Sequence, residues 1–136
     1  MTDQSMYRPT DGEPFMNEAQ RQYFRDKLLS WRDEILLEAK ETIQRLQEES
    51  DHYPDQTDHA ISEAGRAVDL RARDRQRKLI AKIDAALQRI EDGTYGYCAR
   101  TGEQIGLKRL EARPIATLSV EAQEWHERQE KNYRSG

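Results

Sequence analysis

Two runs of apolar residues spaced by three and four positions constrain this chain more than any other feature. The first comprises Phe24, Leu28, Trp31, Ile35, Ala39, Ile43 and Leu46. The second comprises Val68, Ala72, Leu79, Ile83, Ala86 and Ile90, with Arg75 filling one position of the stripe. Residues three and four apart share one face of a helix, so each run is the seam of a coiled coil. Pro54, the first proline after Pro14, lies between the runs and cannot continue the first helix. The chain therefore folds back on itself over residues 51–60. At about 1.5 Å per residue, arms of roughly 35 residues make a hairpin on the order of 50 Å long. The expected fold is mostly α: a long antiparallel coiled-coil hairpin carrying a small globular head and a C-terminal helix.

The ends of these elements have recognisable signals. Residues 1–16 carry Pro9, Gly12 and Pro14 without periodicity, and read as an extended arm pinned by Tyr7 and Phe15. Asn17 followed by Gln20 has the spacing of a capping box and opens the first helix. The second begins near Asp58 as N-cap and stops at Gly93, which can take the left-handed cap conformation. The expected division is an arm over 1–16, a hairpin over 17–92 with its tip at 51–60, and a head over 93–136.

The head reads as short β-like pieces joined by glycines, from Tyr95 to Gly106. A basic patch of Lys108, Arg109 and Arg113 follows, and then a last helix capped by Ser119 that runs from Val120 to about Tyr133. Tyr95, Tyr97, Ile105, Leu110, Ile115, Leu118 and Trp125 are its expected core, with Trp125 the anchor against Phe24 and Trp31 at the hairpin base.

Charge is distributed unevenly. From Leu46 to Gly65 there are six acidic residues and no Lys or Arg, whereas from Arg66 to Arg89 eight basic residues face three acidic ones. An acidic tip and a basic return arm suit a protein aimed at a partner. A net charge of −4 argues against a protein that coats duplex DNA, whose affinity comes from counterion release by Lys and Arg. The N-terminus has no signal-peptide pattern and no apolar run reaches membrane-spanning length, so the expected location is the cytoplasm. The single cysteine, Cys98, makes no internal disulfide, which fits a reducing compartment. No Ser/His/Asp, Cys/His or Gly-rich phosphate-loop arrangement points to an enzyme.

Cys98-Ala-Arg-Thr101, then Ile105, Arg109, Leu110, Arg113 and Pro114, then Ser119-Val-Glu-Ala122, resembles the zinc-finger signature of the DksA/TraR family of RNA polymerase regulators. That signature has two CxxC pairs. Asp55-Gln-Thr-Asp58-His-Ala60 matches the family's DxxDxA tip, and Leu70–Ile80 looks like its second arm. The resemblance covers about residues 15–130.

The family implies a non-enzymatic mechanism. The hairpin enters the polymerase secondary channel and brings its tip, here Asp55, Asp58 and Ala60, near the catalytic centre, altering initiation together with guanosine tetraphosphate. For the alarmone site at the polymerase rim the matching positions are Arg75, Leu79, Lys82 and Arg113. Gln123 stands where the family has a lysine, which implies weaker alarmone sensitivity. The four ligand positions read Cys98, Thr101, Ser119 and Ala122, too few donors for a structural zinc. The expectation is a monomer that works without zinc, serves when zinc is scarce, and makes no sequence-specific DNA contact. The alternative is a coiled-coil adaptor that has lost polymerase regulation, against which the retained tip argues.

Overall fold

The computed structural model describes residues 7–50 and 56–135, and side chains outside 49–62 and 134–135. Four helices follow in order: α1 (Glu18–Ser50), α2 (Gln56–Asp92), α3 (Leu107–Ala112) and α4 (Val120–Ser135). The mostly helical expectation holds. The β-like pieces reduce, among the described residues, to one isolated antiparallel bridge, Tyr97 with Gln104. The short α3, which carries Lys108 and Arg109, was not anticipated, because six residues are too few to show a period.

The chain divides into two compact units that cut across the long helices: Met1–Leu28 with Ala85–Gly136, and Leu29–Asp84.

In the first unit, the start of α1 is fixed by the Asn17–Gln20 pair. The Gln20 backbone N–H donates to Asn17 Oδ1 at 2.8 Å. The returning bond departs from a capping box: Gln20 Oε1 accepts from the N–H of Met16, not Asn17, also at 2.8 Å. Met16 has φ 54°, the left-handed turn that aims its N–H back at α1. Gln20 is fully buried, and its Nε2 donates to the Thr10 carbonyl, so one side chain both caps the helix and ties down the arm.

The core of this unit gathers around Phe24, Leu28, Ile90, Tyr95 and Leu110, all essentially inaccessible to water. Phe24 packs edge-on to Tyr23 and tilted against Tyr95, with ring centroids 5.1 and 5.6 Å away. The Tyr95 hydroxyl donates to the Pro114 carbonyl at 2.8 Å, and burial pushes its ionisation well above the usual tyrosine range. Gly96, at φ 90°, lies under Phe15, and a Cβ there would come within 3.0 Å of the ring. Gly93, at φ 82°, ends α2 as expected, and Thr94 and Tyr95 donate to the Arg89 carbonyl beyond it.

The expected head core is corrected in part. Tyr95, Ile105 and Leu110 are buried, but Tyr97 and Trp125 are exposed, while Leu107, Ala116, Ala122 and Cys98 supply the interior. Trp125 is amphipathic and large, and burying it was not the only way to use its ring.

In the second unit, Arg32 pairs with Asp84 at 2.8 Å and Arg45 with Asp69 at 3.5 Å, so α1 and α2 run antiparallel. Such exposed pairs contribute at most about 1 kcal/mol each. The seam is thin: Ile35, Thr42, Leu46 and Ile83 are buried. Thr42 takes the place expected of Ile43, satisfying its hydroxyl by donating to the Glu38 carbonyl at 3.0 Å.

The phase of α2 also differs from the apolar reading. Val68 is 54% exposed and Arg75 is exposed. Stepping back from Ile83 by four and three reaches Leu79, Gln76, Ala72 and Asp69, each half-buried. Gln76 thus occupies the seam position assigned to Arg75, and its Oε1 is buried without a hydrogen-bond partner. A desolvated, unpaired amide oxygen costs about 1–3 kcal/mol. Gln76→Leu is expected to raise stability by about 1 kcal/mol in urea unfolding, and a loss would show that the amide finds a partner in solution.

Candidate functional site

Three groups of residues carry the functional reading, and the structure treats them differently. At the tip, Asp55 lies outside the described residues. Asp58 and Ala60 are the third and fifth residues of α2. The expected N-cap role of Asp58 is corrected, because the helix begins two residues earlier at Gln56. A carboxylate in a first turn is favoured by the helix dipole but does not cap.

On α2, Arg75, Leu79 and Lys82 are separated by four and three residues and share a helix face. Arg75 and Lys82 are exposed and Leu79 is half-buried. Arg75 and Leu79 also line a cavity of about 390 Å³ with Trp31, Glu34, Ile35 and Gln76. The face continues through Arg71 and Lys78, which the sequence reading did not single out although the same three-and-four spacing marks them. Lys78 at 3.1 Å and Arg77 at 2.7 Å hold the Asp74 carboxyl below the usual carboxylate range. Arg113 belongs to the other unit, where it is the exposed C-cap of α3 and donates its N–H to the Arg109 carbonyl. Gln123 is half-buried and donates to Glu127 Oε1 at 3.1 Å along α4.

The four finger positions come together but are not a ligand set. Thr101 Oγ1 accepts from the Glu103 N–H, and Ser119 Oγ accepts from the Ala122 N–H, both at 3.2 Å. Those are the turn and cap roles expected of them. Ala122 fills its position with a buried methyl. Cys98 is buried. Burial pushes its thiol up, but hydrogen bonds from the Thr101 hydroxyl and from the N–H groups of Ser119, Thr101 and Arg100 outweigh this and bring it down to about 6. A structural tetrahedral zinc needs four N, S or O donors. These positions offer one sulfur, and among the described residues no three His, Cys, Asp or Glu side chains converge. The residues do not fit the metal.

The same face holds a contact that sequence reading missed. The Arg100 guanidinium lies 3.2 Å over the Trp125 ring, joining the Cys98–Thr101 loop to α4. Nothing in the spacing of the two residues announces it.

Comparison with known proteins decides the family. The description "DnaK suppressor protein DksA, N-terminal domain" matches residues 20–90, and "Prokaryotic dksA/traR C4-type zinc finger" matches residues 93–128. The chain belongs to the DksA family. It is 60% identical over 134 residues to the RNA polymerase-binding transcription factor DksA of Caulobacter vibrioides, covering 98% of this chain and 94% of that protein. To the protein of that name from Escherichia coli K12 it is 42% identical over 125 residues, covering 92% and 83%. Among solved structures, transcription factor DksA2 from Pseudomonas aeruginosa matches with a TM-score of 0.82 and 41% identity over 88% of this chain and 95% of that one. The family is one of non-enzymatic transcription regulators. No helix among the described residues is long and apolar enough to cross a membrane.

Proposed function

We propose that this chain binds RNA polymerase directly and regulates initiation, for example at ribosomal RNA promoters, by inserting the 51–60 tip into the secondary channel. The observation that carries the reading is the 60% identity, over 98% of the chain, to a protein named for polymerase binding. Asp55, Asp58 and Ala60 act near the catalytic centre. A carboxylate there perturbs Mg²⁺ or the elements around it without chelating it stably, since Mg²⁺ keeps several waters.

Guanosine tetraphosphate acts with the protein at the polymerase rim, through Arg75, Leu79, Lys82 and Arg113. The exposure of the three cations supports that role, because guanidinium and ammonium groups suit phosphate oxygens. The neutral Gln123 weakens the alarmone response. The head folds without zinc, a reading supported by the engagement of Thr101, Ser119 and Cys98 in hydrogen bonds. The protein works as a cytoplasmic monomer without sequence-specific DNA contacts.

The test is transcription in vitro from a ribosomal RNA promoter with purified polymerase, with and without guanosine tetraphosphate, comparing wild type with Asp58→Asn. The substitution removes one first-turn charge, worth about 0.3–1 kcal/mol to the helix, and leaves polymerase binding intact. Wild type is expected to inhibit and the variant to bind without inhibiting. Equal inhibition would reassign the effect to Asp55 or to tip shape, and failure of wild type to bind polymerase would leave the adaptor reading.

A further inference from the structure

In a C4 finger the metal joins two loops, each supplying a pair of ligands. Here the corresponding loops, residues 98–101 and 119–122, remain adjacent. The Ala99 N–H in the first loop donates to the carbonyl of Thr117, two residues before the second, at 2.8 Å, and Arg109 Nε, from α3, holds the Leu118 carbonyl beside it at the same distance. Most of these contacts run through backbone that an open loop could lose to water. The contact that engages side chains from both halves is Arg100 on Trp125.

Trp125 lies three residues beyond Ala122, one helical turn past the last ligand position. At 36% exposure its ring is an exterior wall, covered by a planar guanidinium at 3.2 Å, close enough for stacking as well as cation–π attraction. Arg100 forms no ion pair with any described residue, so its charge is directed at the ring. The geometry combines a cation from the first loop, an aromatic face from the second, and a small residue, Ala122, packed beneath.

We infer that the Arg100–Trp125 stack is a clasp that replaces the metal cross-link, holding the first finger loop against the start of α4. This rests on the reading that the head folds without zinc, and it adds the residues that make that possible. A metal fixes both loops with bonds that chelators and thiol oxidants attack. The clasp is made of groups that neither reagent touches, so the head keeps its shape where a C4 finger would open.

Amide hydrogen exchange of the full chain tests it, followed by NMR at the hydrogen-bonded N–H groups of Cys98, Ala99, Gly102, Ala122 and Gln123. The variants are Arg100→Ala, Trp125→Ala, their combination and Arg100→Lys, with and without EDTA. Each single alanine variant is expected to speed exchange at these amides about fivefold, with the Tyr95 and Leu110 amides unchanged. The double variant should exchange no faster than either single one, as two halves of one contact require. Arg100→Lys should recover part of the protection, because it keeps the charge but loses the planar stack. Unchanged exchange in the single variants, or effects that multiply in the double variant, would overturn the clasp. Exchange of the wild type accelerated by EDTA would instead overturn the zinc-free reading of the head, an outcome visible without any variant. Both alanine changes are at exposed positions, so the fold survives them and the exchange rates remain readable.

Discussion

Phe24→Ala is expected to lower the free energy of unfolding by about 3–5 kcal/mol in urea denaturation monitored by helical circular dichroism. The ring is wholly buried and touches two other aromatic rings, Tyr23 edge-on and Tyr95 at a tilt. Truncation removes the transfer energy of the ring, the aromatic contacts and the filling of the space between α1 and the Tyr95 segment. Tyr95 cannot collapse into that space, because its hydroxyl is committed to the Pro114 carbonyl. Against a total stability of about 5–15 kcal/mol for a domain, the loss leaves a substantial unfolded fraction near physiological temperature. Leu37→Ala is the control: at 59% exposure its loss should cost less than about 0.5 kcal/mol. A change below about 1 kcal/mol for Phe24→Ala would mean that the ring is not the centre of the core.

Phe24 was legible in the sequence because it begins an apolar stripe whose phase holds through Leu28 and Ile35, before Thr42 displaces Ile43 from the seam. Three helix ends were legible for the same kind of reason: Asn17, Gly93 and Ser119 each supply a specific group or backbone conformation that a helix end requires, and each is used so, whereas α2 starts two residues before the Asp58 expected to cap it. The α2 seam was harder to read. Between Val68 and Leu79 the seam residues are Asp69, Ala72 and Gln76, so hydrophobicity points to Val68 while helix geometry, carried back from Ile83, points elsewhere. Where a seam is polar, local apolarity misleads and phase continuity decides.

The finger was legible only through resemblance. Its ligand positions are fixed by spacing, and their loss is visible residue by residue. What stands in for them is not visible, because the groups that act, the Arg100 guanidinium, the Trp125 face and backbone N–H groups around Cys98, are brought together by the fold rather than by a motif. Trp125, expected as the core anchor, is instead 36% exposed. A tryptophan next to a loop arginine has a second stable use, and the structure takes it.

Cys98 follows from the same point and gives the second large effect. In an unfolded chain its thiol ionises near pH 8.5–9, as for a free cysteine. Folded, its hydrogen bonds favour the thiolate and bring ionisation down to about 6. Absorbance at 240 nm, which reports thiolate, should therefore rise near pH 6 in the native protein and about three units higher in urea. The linkage has a definite sign. Between these two values the unfolded chain binds the proton that the folded chain has released, so stability rises with pH across that window and levels off above about 9. The contribution is fully present above the unfolded value and is lost as pH falls through about 6. Cys98→Ser, which cannot ionise in this range, isolates the effect. The stability difference between wild type and variant should widen as pH rises from 6 to 9, while both lose or gain together below 6. A native thiol that titrates above pH 8, or a difference independent of pH, would show that the N–H groups around the sulfur do not outweigh the cost of burying its charge. If the sulfur does titrate near 6, then at neutral pH the protein holds Cys98 largely as a thiolate.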